Sequence, residues 1–153
     1  MRKRALAAGV GLVLLGALSV VRAHEAGHEL PPGPAHDRHQ LMEGIGKDAK
    51  RIGDALKSGT FDPIAAAAEK IAAGASKILP LFPPGSTHPK SRAKPEIWQN
   101  WPKFEEEAKQ LQSNAAALAA AATNGGDVRG GAKAMFDTCK SCHDQFRVPE
   151  KKR

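Results

Sequence analysis

Between residues 36 and 147, apolar side chains recur at spacings that alternate between three and four. That is the seam of helices packing nearly parallel; half-buried strands would need period two. The first segment carries Leu41, Met42, Ile45, Ala49, Ile52 and Leu56 and is predicted to stop near Ser58-Gly59, a suitable helix C-terminus. The second opens with Asp62-Pro63, an N-cap followed by proline at the first helical position, and runs through Ile64, Ala68, Ile71, Ala75 and Ile78 until Pro80 ends it. The third holds Ile97, Trp101, Phe104, Ala108, Leu111, Ala115, Leu118 and Ala122 and stops at Asn124-Gly125-Gly126. Pro102 must restart or kink it, because proline cannot donate an interior hydrogen bond. The fourth begins at Asp127 and carries Val128, Ala132, Met135, Cys139, Cys142 and Phe146.

Four helices of roughly 16 to 26 residues, with short links at 58–62 and 123–127, predict an all-α antiparallel four-helix bundle over residues 36–153. The middle connection, Pro80 to Lys94, is longer and contains Pro83, Pro84, Gly85 and Pro89; proline stiffness and docking of Leu81 and Phe82 are expected to order it. The many seam alanines bury little area each, so at about 25 cal/mol per Å² the core is thin and leaves room for a large apolar group that the sequence does not supply. Ahead of the bundle, His24 to Ala35 contains Pro31, Pro32, Gly33 and Pro34 and reads as an extended, flexible arm (residues 24–35).

Residues 1–23 change the picture of charge. Met1 to Arg4 is a positive n-region, Ala5 to Val21 an uncharged run of Ala, Gly, Leu and Val, and Val21-Arg22-Ala23 a signal-peptidase site. Cleavage is expected after Ala23, leaving a chain that starts at His24, exported and periplasmic. The competing reading is a retained anchor, but its 17-residue run, interrupted only by Ser19, sits at the short edge of what spans a bilayer. No cysteine lies near the cut, which excludes a lipoprotein signal. The whole chain has a net charge of +7, but residues 1–23 hold four basic residues and no acid, so the remainder carries +3. A nucleic-acid partner thereby loses its support. The 153 residues suffice for one domain, and 25% charged with 41% apolar residues argues against wholesale disorder. Aromatics at 5%, without tyrosine, argue against a β-sandwich.

The chemistry lies in Cys139-Lys140-Ser141-Cys142-His143. C-x-x-C-H is the attachment motif of c-type haem: two thiols add across the porphyrin vinyls and the adjacent imidazole binds iron. On a helix, Cys139 and His143 stand one turn apart with Cys142 beside them, so all three address one planar ligand. Haem c is therefore the expected cofactor, with Cys139 and Cys142 as covalent anchors and His143 as a metal ligand. Three alternatives compete. A Cys139–Cys142 disulfide would close a strained loop within a helix. A thioredoxin-like pair would sit near a βαβ pattern, and a structural zinc site wants four ligands. A haem-free protein using its CxxC for metal or thiol chemistry is the least favoured reading.

These residues resemble a class II cytochrome c, the group that contains cytochrome c′ and its low-spin relatives. The likeness runs from about Asp37 to Arg147 and rests on Arg38-x-x-x-Met42, Leu81-Phe82-Pro83-Pro84-Gly85-Ser86, Glu96-Ile97-Trp98 with Phe104, and Cys139 through Arg147. The C-terminal placement of C-x-x-C-H is its informative part, since class I cytochromes carry the motif near the N-terminus. The resemblance implies that Met42 faces the distal side of the haem. In low-spin members a Met there binds iron, which raises the reduction potential; in cytochrome c′ the side chain only crowds a five-coordinate pocket. Ligation by Met42 is the leading expectation, and with it a His/Met electron carrier serving periplasmic or membrane redox partners. The alternative is a five-coordinate haem binding nitric oxide or carbon monoxide.

The resemblance also implies that Arg38 pairs with a haem propionate, as suits a planar guanidinium, or else is an exposed helix charge. Arg147 matches a basic residue beside the proximal imidazole, or is simply a cation at a helix C-terminus. His39 offers bis-histidine ligation but is expected to be exposed, and His24, His28 and His36 are expected to be solvated. A free N-terminal His24 would offer copper an amine and an imidazole, a reading with no further support. Trp98 and Trp101 read as core or haem-edge packing. Lys90, Arg92 and Lys94 either steer an acidic partner or solvate a loop. Homodimerisation through the first two helices is a further implication of the family. No paired carboxylates or nucleophile–base arrangement points to a conventional enzyme.

Overall fold

Asp127 shows how locally the helices are set: its carboxylate accepts a 2.8 Å hydrogen bond from the Gly130 amide and opens the last helix. The computed structural model describes residues 30–149. The leader and residues 24–29 of the arm lie outside the described residues. Five α-helices follow: α1 (Pro34–Ser58), α2 (Ile64–Ala75), α3 (Glu96–Gln99), α4 (Trp101–Asn124) and α5 (Val128–Phe146). The long ones, α1, α2, α4 and α5, form the bundle. Helices α1 and α4 both end on glycine, Gly59 at φ 73° and Gly125 at φ 70°. In that left-handed conformation the glycine amide turns back to a carbonyl of the last turn at no Cβ cost.

Several boundaries differ from the sequence expectation. Helix α1 begins at Pro34, inside the segment read as extended arm, because proline fits a first helical turn, where its missing N–H costs nothing. Leu30, also in that segment, is buried. Asp62 does not cap α2; Pro63 stands at the N-cap with no side-chain hydrogen bond. Helix α2 has only 12 residues, short of the expected length. Past Ala75 the bonding tightens: the Lys77 amide reaches Gly74 at 2.9 Å and the Ile78 amide reaches Ala75 at 3.1 Å. A 3-10 turn at Leu79–Leu81 accommodates Pro80, which cannot donate and disfavours helical backbone in the residue before it. Ile78 stays buried, so the apolar period outlasts the α-helix. Pro102 sits in the first turn of α4, and the break falls at Asn100 (φ −126°, ψ 54°). The proline restarts the helix and does not kink it.

The bundle packs α1 on α2, α2 on α4 and α4 on α5 along extensive seams, while α1 touches α5 only sparsely. Ile52, Ile64, Ile71, Ile97, Leu118 and Met135 are fully buried, with Ala67, Ala68, Ala115 and Ala132 completing the layers between them. Close helix approach follows from the small residues: a Cβ at Gly74 would stand 3.0 Å from Cγ1 of Ile45. Phe104 joins the end of the bundle to the crossing loop, with ring centroids 4.7 Å from Phe82 and 5.4 Å from Phe146.

The crossing loop is held at both ends. The Trp98 indole donates to the carbonyls of Phe82 and Pro83, each at 3.1 Å. Ala93 and Arg147 form an antiparallel bridge, flanked by Lys94 N–H to Phe146 O (2.9 Å) and Val148 N–H to Arg92 O (2.8 Å). Lys94 Nζ donates to the Asp144 and Gln145 carbonyls at 3.1 and 2.9 Å, capping the end of α5. Lys94 thus does more than solvate the loop: it ties the loop to the end of α5.

Replacing Ile71 by Ala removes a fully buried branched side chain from α2 and is expected to cost about 2–5 kcal/mol of unfolding free energy, read as a lower urea midpoint at unchanged m-value. A loss below about 1 kcal/mol would show that this layer collapses around the deletion.

Candidate functional site

The last two turns of α5 bring Cys139, Cys142 and His143 onto one stretch of helix, with Arg147 as its C-cap residue. Both thiols are free and half-buried against the core, so the expected alternative of a Cys139–Cys142 disulfide is not formed. Burial pushes the Cys139 thiol above its ordinary range. Burial first, then the charges of Glu107 and Cys139, push Cys142 up to about 12. Reactive or metal-binding cysteines need the opposite, a lowered pKa in an electropositive setting, so the geometry disfavours free-thiol chemistry. Among the described residues, no group of three or more His, Cys, Asp and Glu side chains is placed to hold a metal ion, and the zinc alternative has no support there.

His143 is exposed as a residue, yet its ring is sheltered enough that desolvation lowers its pKa. The positive charges of Arg147 and Arg92 lower it further, and Asp144 opposes them. A neutral imidazole keeps a lone pair for iron over a wider pH range. The Arg147 amide donates to the His143 carbonyl at 3.0 Å, which keeps this cation at the turn of the imidazole.

Met42 lies on α1, half-buried and packed on the core beside Leu41. His39, by contrast, is exposed, as expected, and turned toward Glu43 at 3.5 Å. His36 pairs with Asp37 at 3.2 Å. Trp98 and Trp101 are half-buried against the core, as expected of packing residues.

Arg38, one turn before Met42, is not an exposed charge. Only 4% of it is accessible, and burial lowers its pKa. The guanidinium donates to Ser86 O at 2.7 Å, Ser86 Oγ at 3.0 Å, Ser91 Oγ at 3.3 Å and Leu81 O at 3.4 Å, and it stacks 4.9 Å above the Phe82 ring. Sequence reasoning missed this anchoring role, although Ser86 closes the very loop motif that carried the resemblance. One donor remains: Arg38 Nε is buried without a partner. An orphaned, charge-assisted donor of this kind suits an anionic group such as a haem propionate.

These features fit a haem. The thinly packed α1–α5 seam separates the helix bearing Met42 from the helix bearing Cys139, Cys142 and His143. Half-buried apolar side chains, among them Met42, Phe136, Cys139 and Cys142, border the core without being covered by it. Sequence reasoning also missed Glu107. It stands in the Glu105-Glu106-Glu107 run, which reads as a solvated face, but it is buried; its place one residue before Ala108 on the apolar stripe was the available signal.

Comparison with known proteins agrees with this geometry. A family model described as Cytochrome C′ matches residues 34–147. A cytochrome c′ of Rhodospirillum rubrum is 33% identical over 116 residues, covering 72% of this chain and 79% of that protein. The crystal structure of cytochrome c′ from Thermochromatium tepidum superimposes with a TM-score of 0.70 at 29% identity, covering 78% of this chain and all (100%) of that one. A second cytochrome c′ structure, described by an unusual ligand-controlled dimer dissociation, also gives 0.70, at 28% identity, with the same shares of 78% and 100%.

Replacing Arg38 by Gln strips several charge-assisted bonds from the loop. Amide exchange at Ser86 and Ser91 is expected to quicken by about tenfold or more, the equivalent of about 1.4 kcal/mol of local stability. Unchanged exchange at both amides would show that the prolines alone order this loop.

Proposed function

The chain belongs to the cytochrome c′ family, a family of haem proteins with one covalently bound haem c, and from that premise we propose how its own residues serve the cofactor. The observation that carries the reading is the family match across 34–147, which spans all four bundle helices and the C-x-x-C-H turn. It favours the alternative of the sequence analysis, a five-coordinate haem that binds a small gas, over the leading expectation of a His/Met electron carrier. In this reading Met42, half-buried at the edge of the core, crowds the distal side without ligating iron.

When bound, the haem would supply an iron able to bind a small gas and a one-electron couple. Cys139 and Cys142 hold it through thioethers, and their half-burial against the core keeps that edge dry. His143 gives the proximal nitrogen, kept neutral by its sheltered ring and by Arg147 and Arg92. Arg38 directs Nε toward a propionate while its other nitrogens hold the crossing loop. Met42 restricts the distal volume, so that only a small diatomic such as nitric oxide or carbon monoxide is admitted.

The same reading makes residues 1–23 a cleaved export signal and the periplasm the place of action. A redox protein of the periplasm or membrane then resets the oxidation state of the iron. The protein works as a gas-binding haem protein without a substrate-converting active site. A homodimer is proposed by analogy with the relative whose dimer dissociates under ligand control.

Absorption spectroscopy of the haem-loaded protein tests the assignment. The expected result is a broad high-spin Soret band that sharpens with carbon monoxide. Met42→Ala is expected to leave the spin state unchanged and to speed carbon monoxide association roughly tenfold, the effect of about 1.4 kcal/mol of relieved crowding. Low-spin bands with a ferric Met–iron charge-transfer feature, lost in Met42→Ala, would establish the His/Met carrier instead.

A further inference from the structure

Glu107 is the only buried carboxylate among the described residues, with 6% of its surface accessible. It projects from α4 onto the haem-motif turn of α5. Its Oε1 accepts from Ser141 Oγ at 2.9 Å and from Gln145 Nε2 at 3.1 Å, and Lys103 Nζ stands 3.4 Å away. Gln145 Nε2 also donates to Ser141 Oγ at 3.1 Å and to the Ser141 carbonyl at 3.2 Å, so the network is closed. Ser141 and Gln145 are one helical turn apart and bracket His143 by two residues on either side.

Burying an ionised carboxylate is costly unless donors satisfy it, and here three side chains do so. An apolar residue at position 107 would pack α4 on α5 without that cost. What the carboxylate adds is a fixed register for the turn that carries Cys142 and His143, and a negative charge close to it.

We propose that Glu107 is a positioning residue for the proximal turn and that its fixed negative charge favours the oxidised state of the haem, opposing the positive charges of Arg147 and Arg92. A negative charge beside iron stabilises the ferric form, which carries one more positive charge than the ferrous form. The inference rests on the proposed attachment at Cys139, Cys142 and His143; failure of that premise would show separately, as a chain that acquires no covalent pigment.

The test is a mediated spectroelectrochemical titration of the haem-loaded protein and its variants. Glu107→Gln keeps an acceptor for Ser141 and loses the charge. At a fixed ambient potential its ratio of reduced to oxidised protein is expected to rise by three- to tenfold, tenfold being about 59 mV for a one-electron couple. Glu107→Asp keeps the charge and shortens the reach, and Ser141→Ala removes one bond and keeps the charge; both are expected to stay within twofold of the parent. A ratio within twofold in Glu107→Gln, or equal shifts in all three variants, would overturn the proposal. Should Glu107→Gln not yield folded holoprotein, Lys103→Gln, which strips the cation that Glu107 at 3.4 Å shares with Glu106 at 3.0 Å, decides. Its ratio should fall at least threefold, while Lys109→Gln, whose partner is the surface Glu105, stays within twofold. Equal effects of the two lysines would refute the role of the Glu107 charge.

Discussion

Three of the four seams of this bundle are closed by side chains and one is not. Alanine and glycine let α1, α2 and α4 approach closely, and the fully buried isoleucines fill what remains. Between α1 and α5 the chain supplies few contacts, although both helices present half-buried apolar side chains at the edge of the core. Apolar surface left in that state is unfavourable until something covers it. A flat, largely apolar macrocycle attached to α5 would meet that need, with His143 to hold its iron and Met42 to fill space on the side of α1.

Holding the open seam in shape falls to the crossing loop. Arg38 fastens the loop to α1 through Ser86 and Ser91, while Ala93 and Lys94 fasten it to the end of α5. The loop thus straps together the helices of the distal and proximal sides, one turn from Met42 on one and at the turn of His143 on the other. A guanidinium is suited to this work because its planar fork serves several carbonyl and hydroxyl oxygens at once and still leaves Nε for another group. Burying that cation is affordable only because the loop carbonyls and the Phe82 ring replace water around it. Glu107 performs the matching task on the opposite side of α5, with Ser141 and Gln145 in place of the loop.

Much of this was legible in the order of the amino acids. The three-and-four spacing identified four bundle helices, glycines 59 and 125 marked two ends, and Asp127 marked a start. Cys139, Cys142 and His143 stood out because attachment of a covalent cofactor demands fixed spacing. Boundaries set by competition were less legible: α2 ends before its apolar period does, because Pro80 constrains backbone that the side chains of Ile78 and Leu79 would have kept helical. Arg38 and Glu107 were hard to read for a different reason. Charged residues in a helix are usually solvated, and only tertiary partners far along the chain, Ser86 for Arg38 and Ser141 for Glu107, turn them into buried ones. The capping role of Lys94 was equally hard to read, since its partners are backbone carbonyls that carry no signature in sequence.

Covalent attachment of the macrocycle to α5 is the central claim, and acid–acetone extraction of protein from cells able to attach haem addresses it most directly. The account predicts that the colour stays with the denatured polypeptide and is lost from it when Cys139 and Cys142 are both replaced by Ser. Pigment that passes into the solvent from the parent protein, or a parent protein that never acquires pigment, would contradict it.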